Sequence, residues 1–282
     1  MTVKKCIIPI AGKGTRFLPI TKVVSKEMLP IVNYPTILLQ VQECLRSGIE
    51  EIIFVVGKHN YDLVNNLFTK NNELDSFLDD KKRLLLNDLN EVIDKVKFSY
   101  VYQDENIRGT AGALYAAKDL INKDEYFAVM YGDDLFSKDT LALKQLIEAN
   151  KQYNCNILGV GKVPNELVSN YGIIKYKKDN IVEAIIEKPE INDAPSNDAI
   201  KGRFIIHSSF FDKVLSSEKH ENNEYFLPEI LLSLEKEIRS VEITGEYFDI
   251  GSHLGYIKAN IMYAMDSSIK DELKEFLKSI GD

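Results

Sequence analysis

The sequence predicts an α/β fold on a doubly wound sheet, and three observations point there. Apolar segments of strand length alternate with segments of helical periodicity through the first 150 residues. The strand segments are apolar throughout rather than at every second residue, and Gly-rich or acidic breaks follow several of them. Strands of that kind are needed where helices cover both faces of a mostly parallel sheet.

In order, strands are expected at residues 6–11, 52–57, 98–103 and 127–131, with helices at 37–47, 62–68, 111–121 and 140–150. Segment 71–97 is polar but spaces Leu74, Phe77, Leu78, Leu84, Leu85, Leu86, Leu89, Val92 and Ile93 so as to predict one or two surface helices before the third strand. Beyond Cys155 the pieces become shorter and richer in β: 157–163, 172–176, 181–186, 202–206 and 241–248. Helices at 254–265 and 269–280 close the chain. The expected whole is a single domain over 1–282: a Rossmann-like half at 1–150, a smaller β-rich half at 151–265, and a C-terminal helix at 266–282.

Composition excludes several classes. With 282 residues, 45% hydrophobic and 28% charged, the chain can bury a core and is not a disordered one. No apolar run approaches the roughly 18 residues of a membrane span. The three cysteines, Cys6, Cys44 and Cys155, are widely spaced in apolar contexts and read as packed thiols, and the four histidines lack metal-binding spacing. The basic opening is too short in its apolar part for a signal peptide, so a cytoplasmic location is expected.

A net charge of -8 argues against nucleic acid or an anionic membrane as partner. Its distribution says more. Lys4, Lys5, Lys13, Arg16, Lys22 and Lys26 fall in the first 26 residues with no acidic residue among them. Lys4 and Lys5 fit a solvated surface. Lys13 and Arg16 are interleaved with Gly12 and Gly14 just after the first strand, where open α/β sheets bind ligands and glycines let a backbone approach a phosphate. The turn is neither a dinucleotide fingerprint nor a P-loop. Three prolines, Pro19, Pro30 and Pro35, then forbid a regular helix and predict an extended loop that carries Arg16 and Lys26 to one polyphosphate.

Other residues carry readings of their own. Asp133 and Asp134 end an apolar strand, where oxygen ligands suit Mg²⁺, although alone such a pair more often caps a turn. Asp249 also ends a strand before a helix, where a helix starter is the plain alternative. Glu187-Lys188 reads as an exposed ion pair at a strand end, Gly172 as a strand-opening turn, and Gln103 as an amide able to meet a base edge or solvent.

The run from Gly12 to Lys22, G-x-G-T-R-x-L-P-x-T-K, followed by Lys26-Glu27-Met28-Leu29-Pro30-Ile31, resembles the sugar-1-phosphate nucleotidylyltransferases, and most of all their UTP-using glucose-1-phosphate branch. The resemblance continues in order through Tyr131-Gly132-Asp133-Asp134, Val168 to Ile174, Glu187-Lys188-Pro189, Phe248-Asp249-Ile250-Gly251-Ser252 and Leu254 to Asn260. It implies Mg²⁺-dependent in-line attack of glucose 1-phosphate on UTP, and an assembly of two or four copies. By resemblance Arg16, Lys26 and Lys188 are catalytic, Asp133 and Asp249 hold the metal, and Asp134, Gly172 and Glu187 meet the sugar. Ala11, Gly12, Gly14, Thr15, Glu27, Gln103 and Gly109 meet the nucleotide.

Three positions depart from the branch. Ser25 stands where proline is usual, Gly109-Thr110-Ala111-Gly112-Ala113 reads as in thymidylyl and guanylyl relatives, and Asn223 to Pro228 replaces a different wording. A thymidylyltransferase, or another sugar-1-phosphate nucleotidylyltransferase such as one for a different hexose phosphate, is therefore the alternative. A nucleotide-sugar-dependent glycosyltransferase is a more distant one, and a silent scaffold or sensor would have no need of Arg16, Lys26, Asp133, Lys188 and Asp249 together.

Overall fold

The computed structural model describes residues 2–220 and 224–281; Asn223, the first residue of one departing stretch, lies outside them. Strand β1 (Lys5–Pro9) ends at the glycine-rich loop. The proline-bearing run beyond it is not extended. It coils into single 3₁₀ turns at Thr15–Phe17, Ile20–Lys22 and Lys26–Met28, because the prolines block an α-helix without blocking such turns, and it ends in a hairpin of β2 (Pro30–Ile31) and β3 (Tyr34–Pro35).

Helix α1 (Thr36–Arg46), β4 (Glu51–Val56) and α2 (Tyr61–Leu67) follow as expected. The polar insertion folds as three short helices, α3 (Asn72–Phe77), α4 (Asp80–Arg83) and α5 (Asn87–Lys95), before β5 (Lys97–Tyr102). Asn71 and Asp79 cap the first two by accepting from Leu74 N and Lys82 N. Next come α6 (Gly109–Tyr115), shorter than its pattern because a 3₁₀ turn follows it, then β6 (Tyr126–Met130), β7 (Asp134–Phe136) and α7 (Ala142–Tyr153). The remainder is β8 (Asn156–Lys162), β9 (Gly172–Lys178), β10 (Ile181–Glu187), β11 (Asp198–His207), α8 (Phe210–Val214) and α9 (Leu227–Leu232). It closes with β12 (Ile238–Glu242), β13 (Tyr247–Asp249), α10 (His253–Met265) and α11 (Lys270–Ile280).

Nine strands form one sheet in the order β5-β4-β1-β6-β11-β8-β12-β10-β9. From β5 to β6 every pairing is parallel, joined by helical crossovers. The expected parallel character stops there. β11 runs antiparallel to both β6 and β8, and β10 runs antiparallel to β12 and β9, with only β8 and β12 again parallel. For β9 and β10 the cause is connection length: Asp179 and Asn180 join them with Asp179 at φ 49°, which makes a hairpin, and two residues cannot return a chain in parallel.

Alternate residues of the central strands enter opposite cores, as the two-residue strand period requires. Cys6, Ile8 and Ile10 pack with α1 and α7, while Ile7, Ile53 and Val129 pack with α6, α8 and α9. Helices therefore cover both faces, which is why these strands read as continuously apolar. All three cysteines are buried free thiols. Among the described residues no helix is long and apolar enough to cross a membrane.

The segment expected as one strand at 241–248 is two. Gly245 takes φ 138° between β12 and β13, and β13 leaves the large sheet to pair with β7, setting Asp249 opposite Asp134.

Candidate active site

The carboxyl ends of β1, β4, β5 and β6 open on one side of the sheet, and β1, flanked by β4 and β6, lies where the strand order reverses. Ligands bind at such a switch point in open α/β sheets. Ala11, Gly12, Gly14 and Thr15 form the loop after β1, and Gln103 follows β5 with its N–H on the Val56 carbonyl at 3.1 Å.

Gly14 adopts φ 62°, the left-handed region that glycine enters at least cost, and its carbonyl accepts from Thr21 Oγ1 at 2.8 Å. A Cβ on Gly12 would meet nothing within 4 Å, so the backbone there faces open space. Phe17 then packs on the rings of His253 and Tyr256, and Val32 N donates to Asn260 Oδ1 at 2.9 Å. Helix α10 thereby fixes the loop that carries the cations.

Four predicted residues from four segments meet before Gly251. A Cβ added there would stand 3.1 Å from a carboxylate oxygen of Asp133, 3.1 Å from one of Asp249, and 3.2 Å from the Arg16 guanidinium. Arg16 Nη1 donates to the Gly251 carbonyl at 3.4 Å, and Lys26 Nζ lies 3.1 Å from Asp133 Oδ2. The helix-starter reading of Asp249 is corrected: Ser252 caps α10 by accepting from Gly255 N, whereas Asp249 Oδ1, the oxygen at the Gly251 point, accepts from Gly251 N.

The charges strain against one another. Burial and then Asp133 raise the Asp249 carboxyl above its ordinary value. Burial works against the Lys26 ammonium, but Asp133 and Glu27 overcome it and hold its pKa above the usual one. Glu27 lies beneath this group, 1% exposed, and neither of its oxygens has a hydrogen-bond partner among the described residues. Burial pushes it up to about 7 against the pull of Lys26. Ser25 beside it also has a buried hydroxyl without a partner.

Asp134 is turned inward. Its carboxylate accepts from the Tyr247 hydroxyl, its carbonyl from Arg203 Nη2 at 3.0 Å, and burial followed by Asp133 pushes its pKa up to about 7. Gly202 at φ 50° passes so close that a Cβ would strike that carboxylate.

On the β-rich side, Glu187 Oε2 lies 3.1 Å from where a Cβ of Gly172 would be, so that glycine leaves room at the carboxylate. Lys188 donates its backbone N–H to Tyr171 O at 3.0 Å and holds φ 46°, a strained setting for a residue with a side chain. Among the described residues Lys188 forms no ion pair with Asp133 or Asp249, and its exposed ammonium has only Glu187, 3.9 Å away, as ion partner.

Gly109 opens α6 at φ 82°, pressed against the Tyr225 backbone. Ala111 N donates to Tyr225 O at 3.0 Å and Leu227 N to Thr110 Oγ1 at 2.9 Å. Two of the departing stretches are thus one packed unit.

Sequence reasoning missed Lys201 and Arg203 of β11, and Tyr247. The signal available was two cations inside an otherwise apolar strand.

Two carboxylate oxygens near one point are of the chemical kind that a hard divalent cation takes while keeping open positions for phosphate. Among the described residues no group of three or more His, Cys, Asp or Glu forms a fuller cage.

The nucleotidyl transferase family model matches residues 5–265. A UTP–glucose-1-phosphate uridylyltransferase of Staphylococcus saprophyticus is 38% identical, with 99% of this chain and 98% of that one aligned. A solved UDP-glucose pyrophosphorylase complexed with UDP-glucose superposes with TM-score 0.83 at 34% identity, covering 94% and 100% of the two chains. The UTP-bound enzyme of Acinetobacter baumannii gives 0.87 at 29% identity, covering 99% of each.

Proposed function

The chain belongs to the nucleotidyl transferase family, and from that membership and the cleft geometry we propose that it joins UTP to glucose 1-phosphate, releasing UDP-glucose and pyrophosphate. A phosphate oxygen of glucose 1-phosphate attacks the α-phosphorus of UTP. The new P–O bond forms as the bond to the bridging oxygen breaks, and pyrophosphate leaves with that electron pair. No protein nucleophile is needed.

The difficulty is electrostatic, since two polyanions must meet. A charge-assisted hydrogen bond is worth about 1.5 to 3 kcal/mol, so one lysine does not suffice and several aligned cations do. Arg16 and Lys26 hold the triphosphate above the loop of Ala11, Gly12, Gly14 and Thr15. Gln103 and Gly109 border the base, and Glu27 supports Lys26 from below. Glu187 and the Gly172 backbone meet the hexose, with Asp134 near the sugar, and Lys188 swings from solvent onto the sugar phosphate. Asp133 and Asp249 are the residues to hold Mg²⁺, which when bound offsets phosphate charge. The first 150 residues serve the nucleotide and residues 151–265 the sugar phosphate.

The observation that carries this reading is the meeting of Arg16, Asp133 and Asp249 at Gly251, with Lys26 on Asp133. The test is pyrophosphate release with glucose 1-phosphate, Mg²⁺ and each nucleoside triphosphate in turn. UTP is expected to be used best. Faster release with dTTP would transfer the assignment to a thymidylyltransferase, the reading that the Gly109–Ala113 loop favours, and silence with every triphosphate would end both.

A further inference from the structure

β11 carries two cations, and they are partnered differently. Arg203 is fully buried and closes on Glu43 through contacts of 2.8 and 3.2 Å. Lys201, two residues earlier, is 4% exposed, yet among the described residues no acceptor takes a hydrogen bond from its ammonium and no carboxylate lies within 4.0 Å. Its Nζ rests instead 4.6 Å from the centroid of the Tyr171 ring and 4.0 Å from that of Tyr247.

Those rings mark its place. Tyr171 immediately precedes Gly172, and Tyr247 holds the Asp134 carboxylate two residues before Asp249. The ammonium therefore stands between the sugar side of the cleft and its acidic pair. Two ring faces return only part of what an ammonium loses on leaving water, and its three N–H donors still need acceptors. Asp134 and Asp249 attract it from beyond contact, while burial brings its pKa down to about 8, so it remains mostly charged at neutral pH.

What completes such a site brings oxygen acceptors and negative charge. Its source follows from topology. β11 pairs with β9 through Ala199 and Ile173, one residue from Gly172, whereas the nucleotide loops lie at the ends of β1 and β5. We propose that Lys201 is a further phosphate-binding residue of this cleft, donating from its ammonium to the phosphate of the incoming sugar 1-phosphate. The inference rests on the sugar-phosphate reading above and adds to it a second cation, preplaced where Lys188 is still in solvent.

The test is calorimetric titration of glucose 1-phosphate into the wild-type chain, Lys201→Met and Lys201→Arg without UTP, together with KM for each substrate and Tm. Lys201→Met is expected to weaken glucose 1-phosphate binding about tenfold to a hundredfold, the loss of one charged hydrogen bond or slightly more. KM for UTP should stay within about twofold and Tm should hold or rise, because a charge without an ion partner among the described residues has been removed from a residue that is 4% exposed. Lys201→Arg should recover part of the affinity. Unchanged affinity in Lys201→Met overturns the proposal. So does a joint rise of both KM values with a lower Tm, which marks a structural clamp on the two tyrosines, and so does a wild-type chain that binds no glucose 1-phosphate. A wild-type chain that binds glucose 1-phosphate through Lys201 yet releases no pyrophosphate would leave this site standing and remove the reaction.

Discussion

Lys26 and Lys201 are both largely buried in one cleft, and their protonation equilibria move in opposite directions. Lys26 has Asp133 at 3.1 Å, and its attraction to carboxylates exceeds the cost of burial. Among the described residues Lys201 has carboxylates only beyond contact, and burial prevails. The difference teaches that contact, more than the sign of the surroundings, decides whether a buried ammonium is satisfied or waiting. It also separates the two halves of the site. The side proposed for the nucleotide has Arg16, Lys26, Asp133 and Asp249 already together, while the side proposed for the sugar holds an exposed Lys188 and a Lys201 with no hydrogen-bond acceptor among the described residues.

The largest expected effect comes from breaking the assembled side. Asp133→Asn removes an oxygen from the facing pair and the ion partner of Lys26 at once. Turnover should fall by about a thousandfold, at the upper end of what removing one preorganised electrostatic group costs, and the Mg²⁺ requirement should shift to higher concentration. Pyrophosphate release against Mg²⁺ concentration measures both. A variant within about tenfold of wild type would mean that the pair does not act as one site.

Lys188→Ala probes the unassembled side and should cost about a hundredfold in turnover with Tm unchanged. The side chain is 59% exposed and 3.9 Å from Glu187, a pair of little worth to stability. Near-normal activity would take Lys188 out of the reaction and leave Lys201 as the cation of that half.

How much of this could be read in advance follows the same division. The parallel strands were legible because helices on both faces demand uninterrupted apolar runs. The loop cations were legible because glycines and prolines fix where Arg16 and Lys26 go relative to β1. Lys201 was not, since its environment exists only after β11 folds against β9 and β13 swings across to β7. The turn that allows this hangs on Gly245, which inside a β-rich run marks a break without saying where the chain goes next. The short helices α8 and α9 were missed because about one to two turns leave little periodicity to detect.

Between the halves lies the unit of Gly109 to Ala111 with Tyr225 to Leu227. Gly109→Ala would force a Cβ into the Tyr225 backbone from a left-handed setting, which costs about 1 to 2 kcal/mol before the clash is counted. A Tm lower by several degrees and a raised KM for UTP, with glucose 1-phosphate binding little changed, is the expected result. Equal weakening of both substrates would show that the two sides are not separable as drawn.

The smallest effect concerns what the assembled side costs. Glu27 is raised from 4.5 to about 7, chiefly by burial. A carboxyl raised on folding contributes stability that is fully present below its unfolded pKa and is lost as pH rises through the folded one. Wild-type Tm should therefore decline between about pH 5 and pH 8. Glu27→Gln, which cannot ionise, should decline less, retaining the slopes from the other raised carboxyls, Asp134, pushed up to about 7, and Asp249. With about 1.4 kcal/mol per pKa unit, and about 2 to 4 °C per kcal/mol for a chain near this size, the two melting curves should separate by several degrees toward pH 8 and converge near pH 5. Parallel curves would mean that Glu27 meets water or a cation in solution, and the contrast between a nucleotide side under internal charge strain and a sugar side still short of an acceptor would lose its first term.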